Sequence, residues 1–245
     1  MRQLTLTAML QEDRSPILKV ARKAAWNALH TASAALGFGV ASYRQPDRIK
    51  AIRKIQQVKK IREMLLTPLE ANQLMSLVRA TSKLGGSMAE VGVYCGASAR
   101  LISETDQSRP LHLFDTFQGL PEPDQTDTAL HLGRFEKTQF SCSLQEVQRF
   151  LCPATNLHFH PGLFPDSAKA VERESFSFVH SDVDLYASTR SVLKFFYPRL
   201  VSGGIILTHD FMTAHGPRKA FTEFFEALPE PLIELSGDQA LVVKI

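Results

Sequence analysis

The chain has 245 residues, of which 44% are hydrophobic and 22% charged, a composition typical of a globular protein that excludes fibrous and disordered classes. Its three cysteines (Cys95, Cys142, Cys152) are odd in number and lack CxxC spacing, which argues against a disulfide framework and a zinc site. The net charge of +3 conceals an asymmetry, because residues 1–66 carry 13 Lys/Arg against 4 Asp/Glu, whereas residues 67–245 carry 15 against 21.

The first 66 residues are predicted to contain two helices, whereas residues 1–16 show no clear periodicity. Small and apolar residues recur at helical spacing from Ile17 to about Ala35, with basic residues between them. A second helix is indicated by apolar residues that share one helical face, namely Ile52, Ile55, Val58, Ile61 and Leu65. We therefore treat residues 1–66 as a basic helical N-terminal segment.

The charge of this segment favours a lid over the rest of the chain or a contact between subunits, and a homodimer is compatible with its amphipathic helices. A membrane surface is a less favoured partner. Nucleic acid is disfavoured because no RNA-reading motif is visible. The apolar run 24–41 is too polar for a membrane span and starts late for a signal peptide, so a cytoplasmic protein is the default expectation.

The remainder, residues 67–245, alternates strands with helices. A capping box at Thr67–Glu70 opens a helix that is predicted to run to about Leu84. Strands are predicted at 88–93, 111–115, 157–160, 175–182 and 204–209, with helices between them and a Gly-Gly stop before the last strand. Segments 231–235 and 239–245 form a closing antiparallel hairpin. This order predicts an α/β fold with a mainly parallel, doubly wound, Rossmann-like sheet.

A glycine-containing turn follows the first of these strands, in the stretch EVGVYCGAS (90–98). Gly92 and Gly96 would allow the backbone to approach a ligand closely, and Glu90 at the strand end could hold an ammonium or hydroxyl group. The spacing is not GxGxxG, so the pyrophosphate-binding pattern of a dinucleotide site is absent. A structural tight turn explains the two glycines about equally well.

An acidic residue also ends the second strand. Asp115 comes 25 residues after Glu90, where Rossmann-like folds place a carboxylate that binds ribose hydroxyls. The alternative is that Asp115 only caps its loop. Its position in the fold favours the ribose role.

Carboxylates collect after two further strands. Asp182, Asp184, His209 and Asp210 follow strands that should lie side by side, at the edge where open α/β sheets bind ligands. Carboxylates this close repel one another unless a proton or a cation is shared, and hard oxygen ligands suit Mg²⁺, Mn²⁺ or Ca²⁺. The alternative is that Asp184 and Asp210 cap helices and that Asp182 is a satisfied strand-end residue.

Taken together, EVGVYCGAS, FDTFQGLP, GLFPDS, DVDLYAST, YPRLVSGGIIL and the HDF turn resemble the macrocin O-methyltransferase family. The resemblance covers about residues 67–245. It implies a seven-stranded class I methyltransferase fold, S-adenosylmethionine as the cofactor and methylation of sugar hydroxyls on glycosylated natural products.

The resemblance also implies roles for individual residues. Asp184 matches the general base. The cofactor-binding positions are Glu90, Gly92, Gly96 and Ser98 at the methionine end, Asp115 at the ribose and Gly162 near the adenine. Asp182 and Asp210 match metal ligands. The family usually has two aspartates where this chain has His209-Asp210, and an imidazole ligand shifts preference from Mg²⁺ towards Mn²⁺, Fe²⁺ or Zn²⁺. Alternatively, His209 does not ligate a metal and serves as a base.

We therefore predict an S-adenosylmethionine-dependent O-methyltransferase, assisted by a divalent cation (Mg²⁺ or Mn²⁺), that acts on a sugar or polyhydroxy small molecule. One alternative is a methyltransferase-like cofactor-binding protein with another activity or none. A second is a scaffold whose basic residues 1–66 bind membrane or RNA.

Overall fold

The computed structural model describes residues 16–35, 45–130 and 133–245. The chain divides into two compact units, Met1–Ile52 and Arg53–Ile245. The division lies earlier than residue 66 and falls within a helix. None of the helices in the described ranges is long and apolar enough to cross a membrane.

Helices and main-sheet strands alternate along residues 68–245, as predicted, and two further helices precede them. The helices are α1 (Pro16–Ala35), α2 (Pro46–Ile61), α3 (Pro68–Ala80), α4 (Ala97–Thr105), α5 (Leu144–Leu151), α6 (Tyr186–Phe196) and α7 (His215–Phe225). The strands are β1 (Ser87–Val91), β2 (Leu111–Asp115), β3 (Thr128–Ala129), β4 (Gly133–Arg134), β5 (Leu157–Pro161), β6 (Phe176–Ser181), β7 (Leu200–Thr208), β8 (Ile233–Glu234) and β9 (Ala240–Val243). Short 3₁₀ helices span Asp166–Val171 and Tyr197–Arg199. The short β3–β4 ribbon is an addition to the predicted strands.

Seven strands form one sheet in the order β5-β2-β1-β6-β7-β9-β8. The five strands from β5 to β7 are parallel, and β9 pairs antiparallel with both β7 and β8. The predicted parallel sheet with a C-terminal hairpin is thus confirmed. The chain moves outward from β1 through β2 to β5 and then returns to β6 on the other side of β1. This reversal is the switch point at which open α/β sheets bind ligands.

One predicted helical face was wrong at its C-terminal end. Ile55 and Val58 of α2 are buried, but Ile61 is 64% and Leu65 is 55% exposed. The helix ends at Ile61, so the helical period no longer applies beyond it. Met64 and Leu66 are buried instead.

The predicted Gly-Gly stop before the last parallel strand was also wrong. Gly203 and Gly204 lie inside β7, which begins at Leu200. Gly203 has a φ of 79°, and the pairing of β6 with β7 shifts register between Phe176 and Phe178. A glycine at positive φ allows a bulge that keeps the strand paired on both sides of it. The glycine pair therefore bends the strand rather than ending the preceding element.

The core between the sheet and α6–α7 is rich in aromatic rings. Phe114 on β2, Phe176 on β6 and Phe196 on α6 are fully buried, and the Phe196 ring contacts the other two edge to face, with its centroid 5.9 Å from that of Phe114 and 4.8 Å from that of Phe176. Such contacts add about 0.5–1.5 kcal/mol per pair beyond the burial of area. The core therefore fixes the strand ends that carry the polar residues described below.

A histidine cluster on β2 and β5 should make stability depend on pH. His112 is 4% exposed, its Nδ1 lies 2.9 Å from His160 Nε2, and its Nε2 lies 3.0 Å from Glu174 Oε2. Burial, together with His160 and His158, lowers the pKa of His112 to about 4 despite Glu174. The unfolded chain therefore binds more protons between pH 6.5 and 4, and the free energy of unfolding falls as the pH falls through that window.

Between pH 6.5 and pH 4.5, a His112→Gln variant should lose less unfolding free energy than the unaltered protein. We expect the difference to be on the order of 2 kcal/mol. Urea denaturation at the two pH values measures it. His215→Gln, at an exposed histidine, is the matched control and should leave the loss unchanged. Equal losses in His112→Gln and the unaltered protein would contradict the assignment.

Candidate active site

A cavity of about 470 Å³ opens at the switch point between β1 and β6. Its wall is mostly apolar, and its polar groups come from the carboxyl ends of β1, β2, β6 and β7. Residues 63–67 and Glu70 at the start of α3 complete the wall. A concave, mainly apolar pocket with a few convergent polar groups is the usual form of a small-molecule site.

Gly92 allows β1 and β6 to approach at the floor of this cavity. Its φ is 87°, and a Cβ atom at this position would lie 1.7 Å from the Asp182 carbonyl oxygen. The same region is closed by a hydrogen bond from the Asp182 N–H to the Val91 carbonyl, at 2.9 Å. Only glycine satisfies both the positive φ and the close approach.

Four of the predicted cofactor residues line the cavity: Gly92, Ser98, Asp115 and Gly162. Gly96 and Glu90 are not part of its wall. Gly96 starts α4 at a φ of 82°, and a Cβ there would be 3.1 Å from Val147 of α5, so this glycine serves helix packing.

Glu90 is fully buried. Its Oε1 is 2.8 Å from Nδ1 of His180, which is also fully buried. Burial raises the pKa of Glu90, although His180 opposes this shift. Glu90 therefore stabilises the end of β1 through its contact with His180 on β6.

The Asp115 carboxylate organises two loops at the cavity wall. Its Oδ2 accepts hydrogen bonds from the N–H groups of Val93 (2.7 Å) and Tyr94 (3.0 Å), and its Oδ1 accepts one from Phe117 (2.7 Å). The turn after β1 and the loop after β2 are thus tied together through one side chain. Contact with a ribose stays a prediction for this residue.

The four polar residues predicted at the ends of β6 and β7 converge. Nδ1 of His209 lies 3.3 Å from Asp182 Oδ1 and 3.1 Å from Asp210 Oδ2. Asp182, His209 and Asp210 each offer one ligand atom within 4.8 Å of the others. Asp184 and Asp210 have φ values of 57° and 55°, a left-handed conformation that aspartate tolerates better than most residues.

Helix capping does not account for these aspartates. The residue at the N-cap of α6 is Leu185 and that of α7 is Ala214. The first N–H of α6, on Tyr186, donates instead to Asp127 Oδ1 at 2.9 Å. Asp184 and Asp210 are thus left with their side chains at the cavity.

The residues of the cluster shift one another's pKa values. Burial and the neighbouring Asp210 and Asp182 raise the pKa of Asp184 well above its usual value. Burial alone would raise the pKa of Asp182 as well, but His209 lowers it. Burial opposes charge on His209, yet the surrounding carboxylates raise its pKa well above 6.5. Asp184 therefore holds a proton more readily than Asp182 does, and Asp182 stays ionised.

Sequence reasoning missed three acidic residues that support the cluster. Glu70 is only 3% exposed and its Oε2 lies 3.7 Å from His209 Nε2, whereas its capping box had suggested a purely helical role. Asp238, in the β8–β9 turn, accepts hydrogen bonds from the N–H groups of Met212 and Thr213. Asp127 caps α6 from a loop that showed no regular pattern. The capping box was the one local signal, and nothing in the sequence related it to His209.

The segment before α3 also contributes to the cavity. The Tyr94 hydroxyl donates to Glu63 Oε2 at 2.7 Å, and the Arg62 Nε–H donates to the Cys95 carbonyl at 2.8 Å. Both contacts join this segment to the turn after β1. Residues 63–66 thus form part of the wall, although they precede the predicted domain boundary.

Comparison with known proteins places this arrangement in a family. The macrocin-O-methyltransferase (TylF) family matches residues 69–241. The chain is 26% identical over 152 residues to demethyldecarbamoylnovobiocin O-methyltransferase of Streptomyces niveus, covering 57% of this chain and 58% of that protein. It is 28% identical over 156 residues to mycinamicin III 3''-O-methyltransferase of Micromonospora griseorubida, covering 57% and 61%. The matched region is thus less than two thirds of each relative.

Solved structures agree on the fold. The O-methyltransferase NovP superposes with a TM-score of 0.65 at 21% identity, covering 74% of this chain and 81% of that one. The calicheamicin methyltransferase CalS11 superposes with a TM-score of 0.62 at 17% identity, covering 84% and 97%. The predicted class I methyltransferase fold is confirmed, and the chain belongs to the macrocin O-methyltransferase family.

Proposed function

We propose that the protein transfers the methyl group of S-adenosylmethionine to a hydroxyl of a sugar or another polyhydroxy small molecule, assisted by a divalent cation. The observation that carries this proposal is the cavity at the switch point, which joins an apolar pocket to the Asp182–Asp184–His209–Asp210 cluster. Family membership supports methyl transfer. The names of the relatives support a natural-product hydroxyl as the acceptor.

The cofactor is proposed to lie over the ends of β1 and β2. Gly92 leaves room for it, Ser98 at the start of α4 and Gly162 after β5 line the same cavity, and Asp115 offers its carboxylate edge to the ribose. The mainly apolar wall would limit the access of water to the sulfonium group of a bound cofactor. Holding that methyl group in line with the acceptor oxygen provides much of the rate acceleration.

Asp182, His209 and Asp210 fit a divalent cation. Two carboxylate oxygens and an imidazole nitrogen converge within 4.8 Å, and the local excess of negative charge calls for a positive partner. This donor set suits Mn²⁺ and tolerates Mg²⁺ less well. When bound, such a cation lowers the pKa of a hydroxyl that coordinates it.

Asp184 is proposed to accept the proton of the acceptor hydroxyl. Its pKa is raised, so it binds a proton more readily than an ordinary aspartate, and its side chain lines the cavity. S-adenosylmethionine, when bound, would supply the methyl group, and Asp184 would take up the proton that the acceptor hydroxyl loses as its oxygen gains that methyl group. His209 is less suited to this role, because both of its ring nitrogens already face carboxylates.

The proposal is tested by calorimetry with S-adenosylmethionine, followed by a methyl-transfer assay on a panel of glycosides and polyols. We expect cofactor binding, transfer in the presence of Mn²⁺ or Mg²⁺, and loss of transfer with a chelator. Binding without transfer to any acceptor would favour a cofactor-binding protein instead. Transfer that is unaffected by a chelator would contradict the role of the cation.

Asp182→Asn should weaken Mn²⁺ binding by at least tenfold, because an amide offers no charge to the cation. The affinity for S-adenosylmethionine should change little. Mn²⁺ titration followed by electron paramagnetic resonance measures the first quantity and calorimetry the second. Asp166→Asn, at an exposed aspartate of the 3₁₀ helix, is the control. Equal Mn²⁺ affinities in the two variants would remove Asp182 from the site.

A further inference from the structure

Glu70 reaches the acidic cluster from outside the sheet. It lies in the first turn of α3, where its Oε2 accepts hydrogen bonds from the Thr67 N–H (2.8 Å) and the Thr67 hydroxyl (2.7 Å). It is 3% exposed. Burial by itself would raise the pKa of Glu70, but His209, Thr67 and the Asp238 N–H lower it to about 2. A buried carboxylate that stays ionised needs such partners.

Glu70 faces the opposite side of the His209 ring from the other carboxylates. Nδ1 of His209 is directed between Asp182 and Asp210, at 3.3 and 3.1 Å. Nε2 of His209 lies 3.7 Å from Glu70 Oε2, an ion-pair distance. The imidazole ring of His209 therefore lies between acidic groups. Its Nδ1 faces the other two predicted cation ligands, and its Nε2 faces Glu70.

The position of Glu70 is held independently of His209. Its Oε1 accepts a hydrogen bond from the Asp238 N–H at 2.8 Å, and Asp238 in turn accepts from the N–H groups of Met212 and Thr213. A Cβ on Gly237 would lie 2.6 Å from Glu70 Oε1. The Glu70 carboxylate thus connects three segments: the start of α3, the β8–β9 turn and the turn that carries His209.

We propose that Glu70 is a positioning residue that holds His209 through Nε2, so that Nδ1 is presented to the cation beside Asp182 and Asp210. This inference rests on the proposed cation site. Metal-binding histidines almost always donate their other ring N–H to a carboxylate, carbonyl or water, and removal of that partner typically weakens metal binding 10- to 100-fold. His209 stands where the family usually has an aspartate, and Glu70 is the carboxylate that faces its other ring nitrogen, at 3.7 Å.

A capping box alone would explain Thr67 and Glu70 but not the contact with His209. The chain has a second capping box, Ser143–Glu146 at the start of α5. Comparison with it separates the role of Glu70 in helix capping from its role at His209. The glutamate of the second box accepts from the Ser143 N–H and hydroxyl in the same way, and it is exposed. Glu146 therefore provides a matched control for loss of a capping carboxylate.

The test is a double-mutant cycle on the full chain, read as the Mn²⁺ dissociation constant by electron paramagnetic resonance titration. The variants are Glu70→Gln, His209→Asp and their combination, with Glu146→Gln as the control. Glutamine is itself a capping-box residue, so α3 should still form. If Glu70→Gln does not fold, Glu70→Asp, which keeps the charge but shortens the side chain, takes its place.

We expect Glu70→Gln to weaken Mn²⁺ binding about tenfold, and Glu146→Gln to leave it unchanged. In the His209→Asp background no imidazole remains to be held, so Glu70→Gln should have less than a twofold effect. Similar effects in both backgrounds, or no effect in either, would overturn the role of Glu70 while leaving the cation site intact. No Mn²⁺ binding by the unaltered protein would overturn the cation site and this inference together.

Discussion

Asp184→Asn should lower the kcat of methyl transfer by about 10²- to 10⁴-fold, the usual contribution of a positioned general base. Asparagine is close in shape to aspartate and also tolerates the left-handed φ of 57° at this position, so the turn between β6 and α6 should persist. It cannot accept a proton. The expected defect is therefore in catalysis and not in folding.

Single-turnover rates with saturating acceptor measure this effect, and calorimetry measures the affinity for S-adenosylmethionine, which we expect to stay within about threefold. Asp166→Asn is again the control, because its exposed carboxylate lies on the surface of the 3₁₀ helix. A kcat within tenfold of that of the unaltered protein would exclude Asp184 as the base. His209 would then be the next candidate to test.

Gly92→Ala should destabilise the protein by more than about 4 kcal/mol, a size that single substitutions reach only through a specific steric or burial conflict. The new Cβ would lie 1.7 Å from the Asp182 carbonyl oxygen, which is backbone and cannot move without separating β1 from β6. The positive φ of 87° adds backbone strain. Because Asp182 is displaced, cofactor and Mn²⁺ binding should also be lost in any material that folds.

Denaturant unfolding followed by circular dichroism measures the change in free energy. Gly85→Ala is the matched control, since a Cβ at that position meets nothing within 4 Å. We expect that variant to be as stable as the unaltered protein or slightly more so, because alanine restricts the unfolded chain. A Gly92→Ala protein of normal stability would show that β1 and β6 can separate at the cavity floor.

Much of the fold could be predicted from local patterns. Short apolar strands between capped helices indicated the parallel sheet and its C-terminal hairpin, and the capping box at Thr67–Glu70 forms as predicted. Predictions were wrong where a local pattern had a different tertiary context. Gly203 reads as a stop, yet pairing with β6 and β9 carries β7 through it as a bulge. Ile61 continues the apolar spacing of α2, but the helix ends there.

The residues of the candidate site could likewise be predicted only in part. The positions of Asp182, Asp184, His209 and Asp210 after neighbouring strands could be predicted from the sequence, because parallel strands bring their carboxyl ends to one edge. Contacts made only in the folded chain show that Asp115 ties two backbone turns together and that the buried Glu90 pairs with His180. They also show that Glu70 contacts His209 and that the Asp238 N–H donates to Glu70. These contacts join residues far apart in the chain, whereas helical period, strand alternation and capping depend on near neighbours.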